Sequence, residues 1–212
     1  INSLVMSLAA VPAYLFARRV VRPPLALLAA LLAVAVPSMV YTATVMTENA
    51  YYPVLLLAAL ALVALLERPS LRNHALFVLA LGLAYLTRSQ AVVVALAALT
   101  APVLLGLIAG GMRTTLRRFV WLYALALGGG LLVVVLQALR GQPLRSLLGS
   151  YAVVGQGGYD VGRALHFVVY HAAELDLYVG VIPVAAAAVL VARSRSLDQP
   201  LQIVLAATLA LV

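Results

Sequence analysis

Long apolar stretches separated by short polar islands run the length of the chain. The apolar windows cover residues 3–17, 24–43, 50–66, 75–87, 90–110, 119–138 and 177–192, and an eighth starts at 200 and runs into the end of the sequence. Most of them approach the length that crosses a bilayer as a helix, so eight spans are predicted, the last incomplete. The first, fourth and seventh windows are short for a crossing, which calls for polar flanks, tilt or a re-entrant path. No stretch alternates in the manner of a barrel strand. The predicted fold is therefore all-α: a polytopic transmembrane bundle forming a single domain over 1–212. Neither a soluble domain nor an internal repeat is visible.

The polar islands set the topology. Placed on alternate sides, Arg18, Arg19, Arg22, Arg68, Arg72, Arg113, Arg117, Arg118, Arg193 and Arg195 share one side, while Arg88, Arg140, Arg145 and Arg163 share the other. Cytoplasmic loops are enriched in basic residues, so the first group is expected in the cytoplasm. Thr87-Arg88-Ser89-Gln90 reads as an outward turn, because a single span across 75–110 would invert every later loop and turn the Arg113–Arg118 cluster outward. The one long loop, 139–176, then lies outside. Within it Asp160, Arg163, His166, Tyr170 and Glu174 fall on one face of a helix, with apolar residues filling the rest, as in an amphipathic helix on a membrane surface. Gly155-Gln156-Gly157-Gly158 precedes it as a turn, and Asp160 suits its N-cap.

Composition agrees with the pattern. Hydrophobic residues are 66% of the chain and charged residues 9%, well away from soluble domains. The net charge of +8 comes from arginines clustered between apolar segments, and no basic face interleaved with aromatics is present, so nucleic acid is not an expected partner. With no cysteine, disulfides and thiolate metal sites are excluded. Arginine without lysine, with heavy Ala, Leu and Val use, suits a GC-rich bacterial genome. The chain starts at Ile1 and ends inside an apolar run, as expected of a fragment, and no signal peptide is recognisable.

Candidate chemistry starts at Glu48, in the island Met46-Thr47-Glu48-Asn49 between two apolar windows. A carboxylate there either faces an outward cavity, binding sugar hydroxyls, a nucleophile or a divalent ion, or sits in interfacial water beside Tyr41, Tyr51 and Tyr52. Asn49 and Tyr52 are candidate substrate contacts with it. Arg88, with Gln90 in the same turn, has the fork that suits a lipid-linked phosphate; the alternative is snorkelling to headgroups. Arg163, His166 and His171 are candidates on the outer loop, where a histidine can donate to phosphate or sugar. The two histidines are five positions apart, which does not suit a metal pair on a helix. Glu174 and Asp176 read as solvated end residues or as a cation-binding pair. Gly128-Gly129-Gly130, inside an apolar span, predicts close packing or a kink.

The order of several short motifs resembles the GT-C superfamily of polytopic glycosyltransferases, with its protein O-mannosyltransferases and aminoarabinose transferases. Asn2 opens a span ending Tyr14-Leu15-Phe16-Ala17-Arg18-Arg19, Pro37-Ser38-Met39-Val40-Tyr41 leads to Met46-Thr47-Glu48-Asn49, and Gly82-Leu83-Ala84-Tyr85-Leu86-Thr87-Arg88 is similar to that family's GLA-x-L-T-R stretch. The resemblance implies an inverting enzyme of the bacterial inner membrane. It would take a sugar from a polyprenyl-phosphate donor to a glycan, lipid or protein acceptor outside the cytoplasm. It also implies a catalytic Asp or Glu in an external loop upstream of Ile1, leaving Glu48 as a supporting acid and Arg88 beside the donor phosphate. Whether a divalent cation takes part stays open. Two other classes are weighed beside it: a transporter or lipid-linked saccharide flippase, which would place polar groups at mid-membrane, and a structural membrane subunit.

Overall fold

The structure is a computed structural model that describes residues 2–35, 48–144, 146–147, 162, 165–167, 169–170 and 189–211, with the side chain of Glu48 outside that set. All regular structure among the described residues is helical. The helices are α1 (Asn2–Ser7), α2 (Ala10–Ala17), α3 (Pro23–Val34), α4 (Glu48–Glu67), α5 (Leu71–Thr87), α6 (Val92–Ala109), α7 (Met112–Arg118), α8 (Val120–Leu139) and α9 (Gln199–Leu211). The chain groups into two compact units, Ile1–Gly129 with Asp198–Val212, and Gly130–Leu197.

Local chemistry explains most boundaries. The first apolar window is two helices because Pro12 has no N–H to give the Leu8 carbonyl, which instead accepts from Val11 at 3.1 Å in a tighter turn. Pro23 and Pro24 start α3, where a missing donor costs nothing. Ser70 caps α5 by accepting from the Asn73 N–H at 3.3 Å. Gly110, at φ +75°, closes α6 in a left-handed conformation that side chains resist.

The core of the first unit is built where α4, α5, α6 and α9 meet. Leu62, Leu65 and Leu66 of α4, Phe77 of α5, Val94 and Leu105 of α6 and Ile203 of α9 are buried together with Phe119 and Leu122. Small residues set the spacing: Ala97, Ala98 and Ala101 of α6 and Ala206 and Ala207 of α9 are buried where the two helices pack. At Gly106 a β-carbon would stand 3.0 Å from the Met112 backbone, so α7 approaches α6 only because that position is glycine.

Asn49–Glu67, Ser89–Ala109 and Val120–Leu139 are long and apolar enough to cross a bilayer, while Asn2–Ala17, Pro23–Val34, Leu71–Thr87 and Gln199–Leu211 are shorter apolar helices. The molecule is thus an all-α helical membrane bundle, and the windows at 3–17, 50–66, 75–87, 90–110, 119–138 and 200 onward are all occupied by helix. The second window is helical to Val34, and 36–47 lie outside the described residues. Of the seventh window only 189–192 are described, as helix. The close packing expected at Gly128-Gly129-Gly130 is not found among the described residues. These glycines lie inside the continuous α8, and a β-carbon on any of them would meet nothing within 4 Å. The reason is the position of α8, a span with only 11% of its window buried.

Candidate functional site

The helices of the first unit expose two chemically different ends. At one, the final residue of α4 takes partners from two other segments, and Asn73 of α5 binds carbonyls beside it. Arg19 Nε donates to Glu67 Oε1 at 2.9 Å, and its Nη1 donates back to the Leu15 carbonyl at 3.0 Å. Arg118 donates to the Glu67 backbone carbonyl. Asn73 Nδ2 donates to the carbonyls of Ala64 and Arg68 at 2.9 and 2.7 Å, which also accept from the backbone N–H groups of Arg68 and Ser70. His74 Nδ1 lies 2.8 Å from the Ser70 carbonyl oxygen, so Nδ1 carries the proton, and Nε2 is buried with no hydrogen-bond partner among the described residues. The Arg19, Arg118 and Asn73 contacts to Glu67 and Ala64 tie one helix end to another.

The opposite end is reached by following α4 and α5 away from that cluster. The short connection Arg68-Pro69-Ser70 makes them an antiparallel pair, and Asn73 sits beside Ala64. Carried along both helices, that register brings Arg88 level with Asn49. Here the backbone is irregular. Thr87 ends α5, Arg88 is extended at φ −160° and ψ 129°, and Ser89–Ala91 form one 3-10 turn before α6. Pro53 lies inside the early part of α4. Arg88 and Gln90 are half-buried, and Asn49 is 3% exposed. Tyr52 is half-buried and donates through its hydroxyl to the Ala33 carbonyl at 3.1 Å, closing the last turn of α3. The Arg88 turn and the start of α4 thus lie toward the same end of the α4–α5 pair.

The predicted candidates therefore divide. Asn49, Tyr52, Arg88 and Gln90 share the irregular end, with Glu48 as the first residue of α4. Its side chain lies outside the described residues, as do Arg163, His171, Asp160, Glu174 and Asp176. The expected outer helix is described at 162, 165–167, 169 and 170, all helical and exposed. There His166 stacks on Tyr170 with ring centroids 6.4 Å apart and meets Phe167 edge-on at 6.4 Å. Among the described residues no group of three or more His, Asp or Glu is placed to hold a metal ion.

The sequence reading missed the Arg19–Glu67 pair and the Arg118 contact, because all the basic residues on that side were assigned to topology. One signal was available: Glu67 is one of only two acids, with Asp198, on the side that carries ten arginines. His74 and Asn73 were missed too, although Ser70, three and four positions before them, is the capping residue both use.

The sequence matches the family described as dolichyl-phosphate-mannose-protein mannosyltransferase over residues 1–139. No curated protein and no solved structure matches it. The matched stretch includes α1 to α8, and with them both helix ends described above, the Arg88 turn and the start of α4. The motif order noted between Asn2 and Arg88 falls wholly within it. On that coverage, two thirds of the sequence, this helical membrane protein belongs to the dolichyl-phosphate-mannose-protein mannosyltransferase family.

Proposed function

We propose that this protein takes part in the transfer of a sugar from a polyprenyl-phosphate donor to an acceptor outside the cytoplasm, with inversion, at the end of the bundle that carries Glu48, Asn49 and Arg88. In the reaction an acceptor hydroxyl oxygen bonds to the anomeric carbon as the bond from that carbon to the phosphate oxygen breaks. The hydroxyl proton passes to a carboxylate, and polyprenyl phosphate leaves. Arg88 binds the donor phosphate and stabilises the charge that grows on it, a role for which a fixed cation in a water-poor site is effective. Glu48 is a supporting acid that orients the sugar or acceptor. Asn49 and Gln90 supply amide hydrogen bonds, and Tyr52 holds α3 against the site. Arg163, His166 and His171 of the outer loop are further candidate substrate contacts.

The observation that carries this reading is the family match over residues 1–139, which takes in Glu48 and Arg88 with the helices that hold them. The arginine distribution supports an orientation in the bacterial inner membrane with this end outside. The acceptor is a glycan, lipid or protein of the cell envelope.

The test is sugar transfer by the intact protein in proteoliposomes with polyprenyl-phosphate-mannose. Arg88→Ala and Glu48→Gln are expected to lower transfer by about 100-fold or more while membrane insertion stays normal. Wild-type turnover in both would remove these residues from the site. Uptake or flipping of the lipid-linked sugar without transfer would establish a transporter instead.

A further inference from the structure

We propose that the groove between α4 and α5 is a binding site for an anionic phospholipid of the leaflet on the arginine-rich side, distinct from the donor site at the other end. The groove encloses about 260 Å³, with Ala61 and Ala80 as its floor and Leu57, Leu76, Leu79 and Leu83 as its walls. Along α5 it runs from Asn73 to Leu83, roughly 15 Å of helix, which is about half of a 30 Å hydrocarbon core. That is the reach of an acyl chain from one leaflet.

The polarity of the groove fixes which leaflet. Its open length is apolar, and Arg19 and Asn73 close it at the arginine-rich end. There it adjoins a second cavity of about 340 Å³ that shares Ala64 and Asn73 and is lined also by Glu67, Arg68 and Gln199. The joined shape is that of an amphiphile: a hydrocarbon slot leading to a polar basin.

Charge complementarity selects an anionic headgroup. Glu67 is paired to Arg19, so the basin's one carboxylate is already neutralised. Arg68 is exposed and makes no ion pair among the described residues. Arg18, Arg22, Arg72, Arg113, Arg117 and Arg118 stand at the same side of the predicted topology, which adds a positive field over the basin. A phosphate with no compensating ammonium gains from all of this, whereas a zwitterionic headgroup brings its own cation against Arg68.

The experiment uses the intact protein in detergent with phosphatidylglycerol or phosphatidylcholine, read by native mass spectrometry. It is paired with crosslinking by a phosphatidylglycerol whose acyl chain carries a diazirine. Expected are retention of phosphatidylglycerol over phosphatidylcholine and adducts concentrated in peptides spanning 57–83. Arg68→Gln should weaken phosphatidylglycerol retention about fivefold, and Ala61→Phe should remove the adducts by filling the slot. Arg72→Gln removes the same charge from a residue outside both cavities and should change retention less than twofold. Equal retention of the two lipids overturns the proposal. So does an equal loss in Arg68→Gln and Arg72→Gln, which would mean diffuse surface attraction, or adducts spread evenly over α8. Displacement of phosphatidylglycerol by equimolar polyprenyl phosphate would give the groove to the donor lipid and likewise overturn it. Arg68 is exposed, so its variant remains informative should Ala61→Phe not fold.

Discussion

The two ends of the α4–α5 pair are made from similar residues and arranged for different work. At the arginine-rich end Glu67, Arg19, Arg118, Asn73 and Ser70 are joined to one another or to helix carbonyls, within regular helix termini. At the other end the extended Arg88 and the 3-10 turn break regular structure, and Asn49 and Arg88 are held at full and partial burial. In the first setting Arg19 and Arg118 are fasteners, their hydrogen bonds spent on the protein itself. In the second setting Arg88 stands in a turn between two helices, where the proposed function has it bind the donor phosphate. Position relative to helix ends, and not residue type, separates the two roles.

The contrast can be broken from beneath, because one core supports both ends. Leu62→Ala, at a fully buried position of α4, should cost about 2–5 kcal/mol and lower heat stability and transfer together; a variant that lost transfer at unchanged melting temperature would place Leu62 in the chemistry instead. Arg88→Lys sharpens the contrast at the proposed active end. It keeps the charge but loses the fork, so transfer should fall about 10- to 100-fold with no change in melting temperature. A stability loss without a loss of donor affinity would make Arg88 a fastener as well. Glu67→Gln is the converse test. The pair it breaks is partly exposed, with side chains 23% and 34% accessible, so about 1 kcal/mol or less is at stake. That corresponds to a melting shift of a few degrees with transfer retained. Ser70→Ala removes the cap of α5 and should cost about 0.5–1 kcal/mol, the smallest of the four effects, measured by thermal unfolding in detergent.

What the sequence made legible follows from the solvent it was written for. A bilayer admits few spanning structures, so uninterrupted apolar windows translate directly into α4, α6 and α8, and a polar interruption such as Thr87 to Gln90 translates into a helix break. Pro12 and the Pro23-Pro24 pair are also readable, because their missing donors act within one turn. Rotation of one helix against another is not readable in this way. Whether Asn49 is buried, whether Arg19 finds Glu67, and whether Tyr52 reaches Ala33 depend on neighbours 48 or fewer positions away that pattern alone does not orient. The glycine run in α8 shows the same limit from the other side: small residues permit close packing but do not supply the partner.

The absence of cysteine in the chain makes the central claim directly measurable. Gln90→Cys, in the Arg88 turn, can be labelled with a membrane-impermeant maleimide in sealed cells, with Arg72→Cys as its counterpart at the far end of α5. The account predicts that the first is labelled from outside and protected by polyprenyl-phosphate-mannose, while the second reacts only after the membrane is opened. Labelling of Arg72→Cys from outside, or of Gln90→Cys without any protection by the donor, would contradict it.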